Sequence, residues 1–380
     1  MLDGTGGAAR RAAPPGAGNP RTAMATTTPE TPAVPAPAPR IVDAARAFAQ
    51  RWGLIVVLLA LPVFYGIKDL TGPGDLSRLA QNLVAGLSNG SIWALIAVGY
   101  TLVYGIIELI NFAHGDVFMI GSFTAAGLFG TIGLTLATGP LGIVVGLLVT
   151  LVVAMVVCGS LNVMIERVAY RPLRNAPKLA PLITAIGFSF ILQNVGLLWL
   201  GGSPASVPDL IHAQQDVFTV LGVTVQRADV VAIAVTAPLV VAMTTFIARS
   251  RLGKAMRATA QDPDAARLMG INVDTTISLT FLIGGVMAGA AGLIYALYQT
   301  TIWYFQGFQA GLIAFTAAVM GGIGNLKGAV LGGLIIGCIQ QISDNRIGTQ
   351  WTPAIVFAYL ILIMVFRPQG LIGEQTREAG

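Results

Sequence analysis

The sequence predicts an all-α protein: a polytopic transmembrane helical bundle with about eight to ten crossings, some of its helices being broken or re-entrant. Of the 380 residues, 55% are hydrophobic and only 10% are charged, whereas soluble domains carry about 25% charged residues. Several apolar runs approach the roughly 20 residues that a helix needs to cross a bilayer. The 46 glycines suit helices that pack closely in lipid.

The apolar runs define the predicted elements in chain order. Residues 1–45 form a Pro/Ala-rich arm that cannot bury a core, and we expect it to be disordered. Residues 46–373 form the membrane domain, and residues 374–380 form a short tail. The predicted spans within the domain cover residues 52–67, 79–107, 140–165, 179–200, 229–248, 275–298 and 353–366, with shorter apolar segments that end near residue 133 or cover 308–320 and 328–342.

The distribution of positive charge predicts the orientation. The loop 166–178 carries four Lys or Arg residues and the loop 249–274 carries five, whereas the loop 201–228 carries one. Since cytoplasmic loops are enriched in these residues, we expect the first two loops and both chain termini to be cytoplasmic. Glu166 and Arg167 are adjacent in the first loop, which predicts an ion pair at the membrane edge. The net charge of +5 therefore does not indicate binding to nucleic acid.

A polar stretch interrupts the apolar sequence at INFAHGD. It contains Asn111, His114 and Asp116, with Gly115 between the last two. Polar residues at membrane depth are costly, so they are functional candidates by default. The stretch predicts a broken or re-entrant helix, which is tolerated where it faces protein or a water-filled cavity.

This polar stretch has two main interpretations. It could cap helix ends and satisfy its own polar groups, or its side chains could line a substrate pathway, with Tyr100 and Tyr104 as further candidates. A metal site is not predicted, because the only other histidine, His212, lies in the loop predicted to be external. An intramembrane enzyme that uses His114 and Asp116 is an alternative, although no further catalytic group completes such a site.

A second interruption, GGIGN, contains Gly321, Gly322, Gly324 and Asn325. Glycine destabilises a helix interior by about 1 kcal/mol relative to alanine. The segment therefore predicts a hinge or a second broken helix, with close helix packing as the alternative.

The segment DPDAARLMG within the loop 249–274 has the signals of a short, well-capped helix. Asp262 fits the N-cap, Pro263 the first helical position, Asp264 the first turn and Gly270 the C-terminal stop. Between these signals stand Ala265, Ala266 and Arg267. The helix could lie on the lipid surface or dock into a soluble partner. A channel would not require such a docking helix.

Five motifs occur in order: INFAHGD, ERVAYRPLR, AQDPDAARLMGI, FTAAVMGGIGNLKGAVLGG and FRPQGLIG. Together they resemble the membrane permease of the ABC importers for branched-chain amino acids, specifically the first of its two paralogous permeases. The resemblance extends from about Leu79 to Gly373, and the Pro/Ala-rich arm departs from the usual pattern.

The resemblance implies a non-catalytic subunit in the bacterial inner membrane. Its partners would be a second permease, two cytoplasmic ATPase subunits and a periplasmic binding protein that delivers the amino acid. The segment 262–270 would be the helix that couples to an ATPase. The chain lacks G-x-x-x-x-G-K-[ST], so ATP and Mg²⁺ would bind the ATPases, and no cofactor is expected in this chain. Urea, short amides and other amino acids remain alternative substrates.

Overall fold

Helices make up most of the described chain. In this computed structural model the described residues are 41–71, 76–135, 138–174, 176–220 and 222–373. Most of the predicted arm and all of the predicted tail lie outside them. The helices of the described part are α1 (Ile41–Thr71), α2 (Leu76–Ile107), α3 (His114–Ile132), α4 (Pro140–Ile165), α5 (Leu179–Leu200), α6 (Arg227–Arg249), α7 (Arg251–Gln261), α8 (Pro263–Leu268), α9 (Val273–Gln299), α10 (Gln306–Gly321), α11 (Leu326–Arg346) and α12 (Thr352–Phe366).

The chain divides into two compact units, residues 1–44 and 45–380. Of the first unit, the structure describes only the beginning of α1. Within the described residues, eight helical segments are long and apolar enough to cross a membrane: Ser77–Ile107, His114–Ile132, Pro140–Leu173, Leu179–Leu200, Arg227–Arg249, Val273–Gln299, Leu326–Arg346 and Thr349–Phe366. This number agrees with the predicted eight to ten crossings. At 16 residues, α10 is shorter than a full crossing requires.

The second unit has buried central helices and exposed outer ones. In the most apolar 18-residue stretch of α2 and of α9, 78% of the residues are buried, compared with 17% in α6. In the most apolar stretches of the segments that contain α4, α5 and α12, only 22–28% of the residues are buried. An outer helix that exposes apolar side chains on this scale is suited to contact with lipid.

Close contact between α2 and α11 depends on glycine. A Cβ atom on Gly333 would lie 2.5 Å from the Ala94 Cα, and one on Gly337 would overlap the Cα of Gly90. Similar contacts join α9 to α4, where a Cβ on Gly285 would overlap the backbone of Cys158. Small residues allow membrane helices to approach this closely, so that packing replaces the hydrophobic driving force that lipid does not supply.

Two small antiparallel sheets lie between helices. The pair β1 (Ala205–Ser206) and β4 (Thr301–Ile302) joins the segment after α5 to the segment after α9. The hairpin of β2 (Asp216–Val220) and β3 (Val223–Gln226) precedes α6. The side chain of Gln81 on α2 donates to the Thr224 carbonyl at 2.6 Å and accepts from its N–H at 2.7 Å. The predicted loop 201–228 is therefore ordered and attached to α2.

Adding a methyl group at Gly337 should destabilise the protein. The Gly337→Ala variant forces α2 and α11 apart, and overpacking of this kind costs about 1–3 kcal/mol. Gly187→Ala on α5 is the matched control, because a Cβ there meets no atom within 4 Å. Thermal unfolding of the purified variants should give a lower midpoint for Gly337→Ala alone. Equal midpoints would show that the α2–α11 contact is not tightly packed.

Candidate functional site

The polar stretch separates α2 from α3. Helix α2 ends at Ile107, Glu108 adopts a left-handed conformation with φ of 51°, and α3 begins at His114. Asn111 lies in the connecting segment, while Gly115 and Asp116 lie in the first turn of α3. The predicted helix break is therefore present in the structure.

Asn111 is hydrogen-bonded to a neighbouring helix. Its Nδ2 donates to Oδ1 of Asn162 on α4 at 3.2 Å, and Nδ2 of Asn162 donates to the Phe281 carbonyl on α9 at 2.6 Å. This chain of hydrogen bonds fastens the break to two neighbouring helices. Asn162 was not predicted from the sequence, although it is a single amide in an otherwise apolar span.

Asp116 is completely buried and receives its hydrogen bonds from α5. The Ser189 hydroxyl donates to Oδ2 at 2.5 Å, and Nε2 of Gln193 donates to the same hydroxyl at 3.0 Å. The other carboxylate oxygen, Oδ1, makes no regular hydrogen bond within the described residues. The sequence analysis did not identify Ser189 and Gln193, but their spacing of four places both on one face of an apolar helix.

His114 packs beside Tyr100, with ring centroids 4.7 Å apart in an edge-on arrangement. The imidazole is fully buried, and neither nitrogen has a regular hydrogen bond among the described residues. The Ile96 backbone is close enough to interact with the ring. Space for the ring exists because residue 99 is glycine: a Cβ there would lie 2.8 Å from Cε1 of His114.

The first turn of α10 meets the first turn of α3. A Cβ on Gly307 would lie 2.7 Å from Oδ1 of Asp116, and a Cβ on Gly115 would overlap the Gly307 carbonyl oxygen. Nε2 of Gln306 donates to the Ser122 hydroxyl, which joins the two helices again. Two helices thus begin side by side within the protein, beside a buried carboxylate.

Tyr100 and Tyr104 lie between the two breaks. They line a small apolar cavity with residues of α2, α10 and the segments next to them: Thr101, Ile110, Phe315, Ala318 and Ile323. The Tyr100 hydroxyl is also near α10, since a Cβ on Gly311 would lie 3.1 Å from it. The predicted pathway tyrosines and the polar break therefore form one continuous region.

The GGIGN segment separates α10 from α11. Gly322 and Gly324 have φ of 109° and 92°, a region that favours glycine. Oδ1 of Asn325 accepts from the N–H groups of Lys327 and Gly328 and so caps α11. Its Nδ2 donates to the Ile372 carbonyl at 2.9 Å. The break is present and is fastened to the FRPQGLIG segment; its action as a hinge remains a prediction.

Helix α8 has the predicted caps. Oδ1 of Asp262 accepts from the N–H groups of Asp264 and Ala265 at 2.9 and 3.0 Å. Pro263 is the first helical residue, and Gly270 has φ of 81°. The additional helix α7, which immediately precedes α8, was not predicted.

The two faces of α8 differ in exposure. Leu268 and Met269 at its end are 89% and 83% exposed, whereas Ala266 is 3% exposed and packs within this chain. Arg267 forms an exposed ion pair with Asp264 at 2.8 Å. The two large apolar side chains therefore form an exposed apolar surface on α8.

The predicted pair between Glu166 and Arg167 is wrong. Residues 166–170 form a π-helical turn that buries Glu166 and leaves Arg167 exposed. The carboxylate of Glu166 instead pairs with Arg174 and accepts from the Ser278 hydroxyl at 2.6 Å. Adjacent residues on a helix do not face each other, whereas a partner across a turn can.

Arg174 continues this ion-pair network to α9. Its other guanidinium nitrogen pairs with Asp274, which also pairs with Arg171 at 2.9 Å. Asp274 is in the first turn of α9 and follows α8 by only a few residues. The segment after α4 is therefore joined to the connection between α8 and α9. Among the described residues, no group of three or more His, Cys, Asp or Glu could hold a metal ion.

Comparisons with a family model and with known proteins point to the same family. The model of the family described as "Branched-chain amino acid transport system / permease component" matches residues 82–365. The chain is 42% identical over 307 residues to the high-affinity branched-chain amino acid transport system permease protein BraD of Pseudomonas aeruginosa, covering 80% of this chain and 99% of that protein. It is also 42% identical over 304 residues to the corresponding permease LivH of Escherichia coli K12, covering 78% and 96%.

Removing Arg174 should destabilise the protein. In the Arg174→Gln variant, the buried Glu166 carboxylate loses its cationic partner, a change that costs about 3–5 kcal/mol. The additional replacement Glu166→Gln should restore part of the loss. Lys178→Gln is the control, because its pair with Glu108 is exposed and such pairs contribute little. Thermal unfolding checks the order; similar midpoints for Arg174→Gln and Lys178→Gln would contradict it.

Proposed function

Because this chain belongs to the family of permease components of branched-chain amino acid transport systems, we propose that it carries branched-chain or related amino acids across the bacterial inner membrane. It acts as one subunit of an ATP-driven importer. The family match over residues 82–365 and the relatives that are 42% identical support this proposal. The chain forms part of the path and leaves ATP hydrolysis to its partners.

The orientation in the membrane follows from the positions of the positively charged loops. The two basic loops are joined to each other through the ion pairs of Arg171 and Arg174 with Asp274. These two loops therefore lie on the same side of the membrane and carry most of the loop cations. The positive-inside rule assigns that side to the cytoplasm. Both termini are then cytoplasmic, and the β2–β3 hairpin faces the periplasm.

The exposed end of α8 docks into a cytoplasmic ATPase. Leu268 and Met269 supply the apolar contact, and the caps at Asp262 and Gly270 keep the helix short and rigid. ATP and Mg²⁺ bind the two ATPase subunits, which shift the permease between inward-facing and outward-facing states. A second permease completes the pore, and a periplasmic binding protein delivers the substrate.

We assign the substrate path to the place where the first turns of α3 and α10 meet. Discontinuous helices in transporters present the positive ends of their dipoles to anionic groups of the substrate. Here two such ends lie beside Asp116, whose Oδ1 lacks a regular hydrogen bond within the described residues. An amino acid carries a carboxylate for the helix ends and an ammonium group for Asp116. Urea and short amides lack this pair of charges, so the site favours an amino acid.

His114 and Tyr100 form the wall next to this carboxylate, and Tyr104 continues the wall towards the GGIGN break. The glycines at 115, 321, 322 and 324 are where the helices adjust when the path opens. Asn111 holds the break in place through Asn162 rather than contacting substrate.

Replacing Leu268 with aspartate should disrupt ATPase docking. The variant Leu268→Asp places a charge in the apolar contact without disturbing the fold, because residue 268 is 89% exposed. Ala266 is unsuitable for this test because it is buried within the chain. Val217→Asp on the hairpin is the control, since Val217 is an exposed apolar residue outside α8. Affinity purification from the native host should recover at least about tenfold less ATPase with Leu268→Asp, a loss of about 1.4 kcal/mol.

Normal ATPase recovery with Leu268→Asp would contradict the docking assignment. The permease family would still stand, because membership rests on the sequence match.

Asp116→Asn should impair transport while the protein remains assembled. The substitution keeps the shape but removes the charge that binds the ammonium group, and hydrogen bonds to charged groups contribute about 1.5–3 kcal/mol. Uptake of labelled leucine by reconstituted complexes should therefore fall at least about tenfold. Asp216→Asn, at an exposed position of β2, is the control. Unchanged uptake with Asp116→Asn would assign the carboxylate a structural role.

A further inference from the structure

A cleft lies between the end of α4 and the start of α9, beside the ion-pair network. It encloses about 480 Å³ and is open to the surface of the described chain. Its volume falls within the range of small-molecule sites, about 300–1,000 Å³. The lining combines residues of α4 and its π-helical turn with residues that begin α9: Ser160, Val163, Arg167, Arg171, Asn272, Asp274, Thr275, Ser278, Leu279 and Leu282.

The cleft is polar at the end nearest the loops. Arg167 and Arg171 stand on one side, with Asn272, Asp274 and Thr275 on the other. Two guanidinium groups face one carboxylate, so this end carries a net charge of +1 on its lining. Asp274 is already paired with Arg171 and Arg174. The polar end is therefore suited to an anionic group.

Arg167 is the cation that this network leaves available. It is exposed, and no hydrogen bond or ion pair joins it to another described residue. Arg171 uses one terminal nitrogen for Asp274 and retains further N–H donors. Guanidinium groups with free donors can bind phosphate in a bidentate arrangement.

The cleft becomes apolar deeper in the span. Val163 on α4 is one turn before Arg167 of the π-helical turn. Leu279 and Leu282 lie one and two turns beyond Thr275 on α9. Met164 near the end of α4 and Val168 in the π-helical turn, each next in sequence to a residue of the cleft, are 45% and 58% exposed. A ligand that fills the whole cleft therefore needs an anionic head joined to a hydrocarbon chain.

We propose that this cleft binds an anionic glycerophospholipid. Its headgroup phosphate contacts Arg167 and Arg171, and the upper part of one acyl chain contacts Val163, Leu279 and Leu282. Basic pockets between transmembrane helices commonly bind such headgroups. The bound lipid lies against Asp274 and the start of α9, and thus beside the segment that connects α9 with α8. The proposal requires only that the chain spans a bilayer and is independent of the transported substrate.

Native mass spectrometry of the full chain, purified with its partners and stripped of lipid, tests the proposal. We expect phosphatidylglycerol to be retained at least about fivefold more than phosphatidylcholine with the same acyl chains, since a cation near a membrane contributes about 1 kcal/mol to binding. Arg167→Gln should lower phosphatidylglycerol retention about fivefold. Arg251→Gln, an exposed position on α7 outside the cleft, is the matched control and should leave retention unchanged.

Three results would overturn the proposal. Equal retention by Arg167→Gln and Arg251→Gln would show that the lipid binds elsewhere. Displacement of the lipid by an equal concentration of soluble glycerol phosphate would identify a site for small anions. Retention by the isolated chain but not by its complex with the ATPase would show that a protein covers the cleft. Unfolding midpoints of both variants should match that of the parent protein, because neither arginine has an internal partner to lose.

Discussion

A backbone group inside a bilayer has no water to bind, so every break in a membrane helix must be satisfied by protein. This constraint explains the surroundings of both interruptions. At the first, the His114 N–H donates to the Asn111 carbonyl at 3.0 Å, and the Tyr170 hydroxyl donates to the Ile110 carbonyl at 3.2 Å. At the second, the N–H groups of Leu371 and Ile372 donate to the carbonyls of Met320 and Gly321 at 2.8 and 3.0 Å. The breaks are therefore tightly packed, partnered structures.

Glycine makes these partnered breaks sterically possible. Gly115 and Gly307 bring the first turns of α3 and α10 together, and Gly99 provides the space for His114. A larger side chain at residue 115 or 307 would separate the starts of α3 and α10, and one at residue 99 would overlap the His114 ring. The same residues that permit close packing thus bring two helix dipoles and one carboxylate to a single region, the arrangement that we propose recognises a zwitterionic substrate.

The ion-pair network links this core to α8, the helix that we propose docks into the ATPase. The carboxylate of Glu166 is buried and pairs with Arg174, and Arg174 in turn contacts Asp274 at the start of α9. Helix α9 packs against α2, α3 and α4, and α8 directly precedes it. A movement of α8 would therefore displace the start of a central helix. The adjoining cleft gives a phospholipid access to the same connection.

Local signals in the sequence determined the membrane class, most of the spans, both helix breaks and the caps of α8. Hydrophobic run length acts over one helix, and a cap such as Asp262 acts over three residues, so neither needs the fold. Tertiary structure alone decided that Asp116 meets Ser189 and Gln193, that Glu166 pairs with Arg174, and that Ala266 is buried while Leu268 is exposed. The physical reason is that a membrane span such as α4 is apolar on all sides, so its sequence does not show which face meets another helix. Those contacts depend on which helix surfaces lined by glycine pack against each other.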